Sequence, residues 1–382
     1  MELKASRFAG AMKEAFLSVG THVDRTRMIE FYKFLAVISA LTLFGCQQNP
    51  ISASQTTSDT LITHERVLAD GQQPAVSPDG RKIAYTNNGD VYSMDTSGTG
   101  ITQLTNGPEF DFAPRWRPDG LSVGFVRTDS GTSNLGLLYE VSAAGGSVIP
   151  LVAGQTVEDR GRWDWSPDGK YIALLSYNSS TEIESLKVVT LANNKTILAV
   201  ETYNGYGPGS GQGSFAWALA HDELAYTDQR SGNAWLVNLT VGVVAKDSVY
   251  RTASDLCRSA SRDAFAYSSH RVASTQIELT DFTNRLGEHN VSSAFGLRWS
   301  PDEKSFLYSL TYFDRGPFPY HMSQIAIYSL ERHKEYLLIN KGDVFPITSN
   351  GFNISFQWGL ANNTVYFERY RQINVVTFQL PK

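Results

Sequence analysis

The feature that most constrains this chain is a ten-residue phrase that returns seven times. It reads VSPDGRKIAY from Val76, WRPDGLSVGF from Trp116, WSPDGKYIAL from Trp165 and WSPDEKSFLY from Trp299. Weaker versions read WALAHDELAY from Trp217, RSASRDAFAY from Arg258 and WGLANNTVYF from Trp358. In every copy an apolar residue stands seven positions after the first: Ile83, Val123, Ile172, Leu224, Phe265, Phe306 and Val365. Successive copies start 40, 49, 52, 41, 41 and 59 residues apart. Such a period belongs to repeat architectures, whose units are too small to bury their own apolar faces and must stack on their neighbours.

Each copy carries the same physical grammar. One strand ends at the Trp position, and Pro-Asp-Gly then makes a tight turn: Pro fixes φ, Asp bonds the backbone and Gly accepts a positive φ. A second strand follows, such as KIAY or YIALL, and a third comes later: 90–95, 137–142, 185–191, 233–239, 276–282, 324–330 and 373–380. Most copies show a fourth strand, at 101–105, 148–152, 195–200 and 335–339, which is poorly marked in the fourth and fifth copies. No intervening stretch has the 3.6-residue period of a helix. The chain holds 18 Tyr, 20 Phe and 7 Trp, a composition that favours strands. The reading is an all-β propeller of four-stranded antiparallel blades, seven in number, with six or eight as the alternatives. The last copy stops after its third strand, while TLITHERVLA, from Thr60 to Ala69, precedes the first copy with nothing of its own to pair with. It is expected to supply the outer strand of the last blade, closing the ring and covering an open edge.

The SPDG-bearing units resemble the repeats of the TolB-like propellers, periplasmic relatives of the Trp-Asp repeat proteins. The resemblance runs through residues 60–382 and implies the fold far more strongly than any activity. Blades four and five depart from the motif, with Ala218-Leu219-Ala220-His221 and Ser259-Ala260-Ser261-Arg262 in place of Ser-Pro-Asp-Gly. TolB itself has six blades and a helical domain that these residues do not spell.

The first 46 residues read as an address. Basic Arg25, Arg27 and Lys33 precede FLAVISALTLF, Phe34 to Phe44, and Gly45-Cys46 follows. The eleven-residue apolar run is shorter than the roughly 20 residues a spanning helix needs and has the shape of a secretory signal. Leu43-Phe44-Gly45-Cys46 resembles the bacterial lipobox, which implies that the Cys46 thiol receives a diacylglyceryl group and becomes the mature N-terminus. Met28 gives a more ordinary signal length than Met1, which would set residues 1–27 upstream of the true start. The polar stretch 47–59 reads as a flexible tether. Acyl chains would make the anchor without a spanning helix. Gln47 after the cysteine, by resemblance to enterobacterial lipoproteins, implies the outer membrane, with the propeller facing the periplasm of the cell envelope. Without residues 1–46 the chain keeps 27 basic and 34 acidic residues and one thiol, Cys257, so neither nucleic-acid binding nor an internal disulfide is expected.

In such a blade the turns after the first and third strands lie on one face, and those after the second and fourth on the other. The first set is short and stereotyped. The second is long and varied, and loops on a rigid scaffold are where binding resides. Its candidate binding residues are Phe110, Phe112, Tyr203, Tyr206, Tyr312, Phe313, Arg315, Phe318, Tyr320 and Phe352. Glu109, Asp111, Glu158, Asp159, Asp314 and Asp343 accompany them as a solvated rim. The regularly placed Trp116, Trp165, Trp217, Trp299 and Trp358 read as core, and Asp79, Asp119 and Asp168 as turn formers. No G-x-S-x-G elbow, dinucleotide or phosphate loop, HxH or HExxH occurs, so no catalytic residue, metal site or cofactor is assigned. The expected function is a lipid-anchored binding or scaffold module for a protein partner. The alternatives are a propeller enzyme resembling the oligogalacturonate lyases and a protein that captures envelope polysaccharide without chemistry.

Overall fold

A computed structural model of the chain describes residues 61–381 apart from 130–134, 159–161, 179, 182, 205–213, 219–221, 229–232, 248–252, 260, 262–263, 272–273, 283–284, 293, 314–320 and 340–354. The signal segment, Cys46 and the tether therefore lie outside the described residues. Seven antiparallel sheets follow one another along the chain, four strands to a blade. Blade one is Gln72–Val76, Lys82–Asn87, Asp90–Asp95 and Thr102–Gln103. Blade two is Phe110–Trp116, Ser122–Thr128 and Leu135–Ser142, with its outer strand split into Ile149–Pro150 and Thr156–Glu158. Blade three is Trp163–Trp165, Tyr171–Asn178, Ile183–Thr190 and Lys195–Asn204; blade four is Phe215–Trp217, Glu223–Asp228, Asn233–Asn238 and Gly242–Asp247. Blade five is Ala253–Arg258, Phe265–Arg271, Ser274–Thr280 and Arg285–Val291; blade six is Phe295–Trp299, Ser305–Phe313, His321–Ser329 and Lys334–Ile339. Blade seven takes Phe356–Trp358, Thr364–Arg369 and Gln372–Phe378 from the end of the chain and Ile62–Asp70 from its start.

That last pairing closes the ring as the orphan segment required. Ile62 lies opposite Phe378 and Asp70 opposite Gln372, antiparallel, with two irregularities in register. The outer strands that the sequence marks poorly in blades four and five are present, at Gly242–Asp247 and Arg285–Val291. Their apolar signal is weak because an outer strand packs less than an inner one.

The core is divided among the blades. Seven apolar clusters are resolved, each shared by two consecutive blades. The one that completes the circle joins Ile83, Tyr85 and Met94 of blade one to Tyr366, Ile373 and Val375 of blade seven. Sheets stacked face to face around an axis bury apolar surface only in this pairwise way. The repeated tryptophans are all buried, with Trp163 added to them. Three reach the preceding blade: the indole N–H of Trp116 donates to the Ala75 carbonyl at 2.9 Å, that of Trp163 to Ala113 at 3.2 Å and that of Trp358 to Arg298 at 3.4 Å. Gly124 makes room for this contact, since a Cβ there would stand 2.6 Å from the Trp163 ring and 3.0 Å from Trp165.

The SPDG turns are hydrogen-bonded knots. Ser77 Oγ donates to Asp79 Oδ1 at 2.6 Å and accepts the Lys82 N–H at 2.9 Å. Ser166 with Asp168 and Ser300 with Asp302 repeat the arrangement at 2.7 Å. Burial pushes the Asp168 carboxyl up, but hydrogen bonds from Ser166 and Lys170 more than offset this and hold it below the usual range. On the opposite face, Asn88 and Gly89 (φ 49° and 91°) form the two-residue hairpin turn that needs positive φ at both centres.

Candidate functional site

Phe110 and Phe112, expected in a loop, lie in the first strand of blade two, where alternation puts both on one side and Asp111 on the other, with Phe112 deeper in the strand than Phe110. Phe110 is exposed, its ring against the turn at Gly89. Phe112 packs into the cluster between blades two and three, which removes it from any open binding surface. Asp111, expected on the solvated rim, is instead buried and forked by Arg127, with Nε to Oδ1 at 2.7 Å and Nη2 to Oδ2 at 2.8 Å. That guanidinium also lies 5.5 Å from the Phe125 ring centre and 5.3 Å from that of Tyr139, so the group clamps blade two. The backbone of Tyr203 belongs to the outer strand of blade three, and those of Tyr312 and Phe313 to the second strand of blade six. Tyr206, Arg315, Phe318, Tyr320 and Phe352 lie outside the described residues.

The structure brings together a different set. The residue before each blade's Trp position is Ala75, Arg115, Asp164, Ala216, Cys257, Arg298 or Gln357, and in blade five Arg258 itself replaces the tryptophan. First strands of adjacent blades pack on one another, so this position circles the axis. Arg115, Arg258 and Arg298, from blades two, five and six, all act electrostatically on Asp164 of blade three. Burial pushes the Asp164 carboxyl up, and Arg115, Arg298 and Arg258 draw it part of the way back. Burial likewise lowers Arg115, which Asp164 opposes and Arg298 reinforces. Asp164 is nonetheless exposed to solvent. A water-holding channel enclosed by protein accounts for both observations.

None of the three groups Arg115, Asp164 and Arg298 is consumed by a direct ion pair. Arg115 Nε lies 3.5 Å from the Trp163 carbonyl, Arg298 Nη1 donates to the carbonyl of Leu297 at 3.0 Å, and Asp164 Oδ1 accepts the N–H of Trp165 at 2.9 Å. Three guanidiniums thus act on one carboxylate. Guanidiniums recognise carboxylates and phosphates through forked, charge-assisted hydrogen bonds. Reading the position before the Trp down the seven copies would have found this set in the sequence.

Residues 56–214 match the family model of the TolB β-propeller domain. An uncharacterized peptidase of Bacillus subtilis (strain 168), YuxL, is 28% identical over 130 residues, 32% of this chain, and the match spans only 18% of that relative's length. An oligogalacturonate lyase solved in complex with manganese superposes with a TM-score of 0.61 at 13% identity, covering 85% of this chain and 92% of the other. The oligogalacturonate lyase of Vibrio parahaemolyticus gives 0.59 at 12% identity, covering 84% and 92%. With repeats, closing strand and inter-blade clusters already in hand, these likenesses agree on one architecture: the chain folds as a seven-bladed β-propeller, whose residues 56–214 match the TolB propeller model.

Proposed function

We propose that this propeller captures an acidic carbohydrate without chemistry, drawing its carboxylates to Arg115 and Arg298 in the central channel. The observation that carries the reading is that Arg115 and Arg298, from blades two and six, both act on Asp164 while each is hydrogen-bonded to a backbone carbonyl. Its likeness in fold to two oligogalacturonate lyases is in keeping with such a ligand. Among the described residues the donor set does not build a manganese centre, since no group of three His, Cys, Asp or Glu converges. His64 lies on the closing strand, His289 on the outer strand of blade five and His333 beside the outer strand of blade six, all at the rim.

The test is calorimetric titration with oligogalacturonate and with a neutral galactan of equal length. The acidic oligomer binds, more weakly as salt rises, and the neutral one does not. Arg115→Ala combined with Arg298→Ala lowers affinity at least tenfold, as the loss of charge-assisted bonds worth about 1.5–3 kcal/mol each implies. Equal binding of the two sugars would sink the reading, and release of unsaturated oligomers would replace it with a lyase.

The same proposal sets residues 47–59 as a tether and Cys46 as the acylated first residue of the mature chain, working outside the cytoplasm. Mass spectrometry of the N-terminal peptide then finds an acylated Cys46 that Cys46→Ser abolishes. An unmodified cysteine in the wild type would refute the anchor.

A further inference from the structure

The closing strand has a direction. Ile62 lies opposite Phe378, whose N–H donates to the Asn363 carbonyl in the first turn of blade seven, and the Leu61 carbonyl accepts the N–H of Gln379. The chain therefore enters the propeller on the short-turn face, at the outer rim, and runs towards the long-loop face. Turn tips on this entry face carry apolar side chains where polar ones would be ordinary: Val241 (74% exposed) in blade four, Leu121 (71%) in blade two, Leu360 (59%) in blade seven and Ile101 in blade one. Exposed cations stand among them, and three of these, Arg81, Lys170 and Lys304, have an acidic neighbour, while Lys195 and Arg332 are exposed at the turns of blades three and six. Arg81 lies 3.9 Å from Asp79, Lys170 3.1 Å from Asp168 and Lys304 2.6 Å from Glu331. Apolar tips interspersed with the exposed cations Lys195 and Arg332 suit an anionic lipid headgroup layer, which takes both.

We infer that the short-turn face lies against the membrane surface and that the channel mouth with the long loops opens away from it. The inference rests on the anchoring reading of Cys46. Fourteen residues between Cys46 and Leu61 reach at most about 50 Å, enough for either face to approach the lipid. The tether therefore raises the local concentration of membrane around the disc, and the apolar tips select the side. Contacts this few hold only while the anchor holds.

Acylated full-length protein is placed in vesicles of phosphatidylethanolamine and phosphatidylglycerol, with a bimane label at Val241→Cys, Leu360→Cys or Tyr370→Cys. Tyr370 is half-exposed in the turn after the second strand of blade seven, on the long-loop face. Headgroup-nitroxide lipids quench the labels at 241 and 360 severalfold more than the label at 370. The gap closes when Leu121, Val241 and Leu360 that do not bear the label become Glu, with circular dichroism verifying that the ring persists. Equal or reversed quenching on protein whose Cys46 carries its acyl mass overturns the orientation and leaves the anchor standing. Absence of the acyl mass overturns the anchor, and the orientation with it.

Discussion

Glu303 occupies the left-handed position that the SPDG copies give to glycine: its φ is 61°, against 69° at Gly80, 72° at Gly120 and 69° at Gly169. Its carboxylate crosses to blade five, where the Ser-Ala-Ser-Arg turn lacks an aspartate, and accepts hydrogen bonds from Ser259 Oγ, Ser261 N and Ser261 Oγ. One blade thus supplies the acid that its neighbour has lost. Glu303→Gly restores the repeat's own residue and relieves about 1–2 kcal/mol of left-handed strain. It also removes three bonds to a charged group worth about 1.5–3 kcal/mol each, so a net loss of more than about 2 kcal/mol is expected in urea unfolding. Asp164 gives a second test. Its folded carboxyl titrates above the unfolded value of about 3.9, so its contribution to stability is complete below that pH and fades as pH rises through the folded value. Asp164→Asn removes this decline between acid and neutral pH and tightens binding of an acidic oligomer, measured by urea titrations across pH and by calorimetry. The turn serines and aspartates were legible from their spacing. The role of Glu303 was not, because it depends on residues in another blade, and the channel set shows itself only when one position is compared across all seven copies.

Within the elements, the strongest prediction concerns the second strand of blade two. Gly124→Val pushes methyl groups into the rings of Trp163 and Trp165, and overpacking of that kind costs about 1–3 kcal/mol. A lowered thermal midpoint with altered tryptophan fluorescence is the expected signature; an unchanged spectrum would mean that the indoles yield. Removing Ile62–Asp70 uncovers the edge of Gln372–Phe378 and is expected to lower the melting temperature and drive association, read by calorimetry and size-exclusion chromatography. Inner strands and their turns were readable because five of the seven end on a buried tryptophan and most are followed by a fixed turn chemistry. The Phe110 and Phe112 pair was misplaced because a loop rich in aromatics and a strand entering the core look alike until register decides. Outer strands such as Gly242–Asp247 have one neighbour only, and their pattern is correspondingly faint.

For the whole molecule, seven interfaces of similar make distribute the core around a circle, so no single cluster carries the fold. Blade count was legible because the period is set by turns, whereas the ligand was not, because channel chemistry is assembled from distant repeats. The shared last blade also orders events in time. A polypeptide delivered from its amino end keeps its opening strand waiting, edge exposed, until the final residues arrive some three hundred positions later. Every premature stop then leaves the earliest-made segment without a mate, and such truncated products become natural prey for proteases.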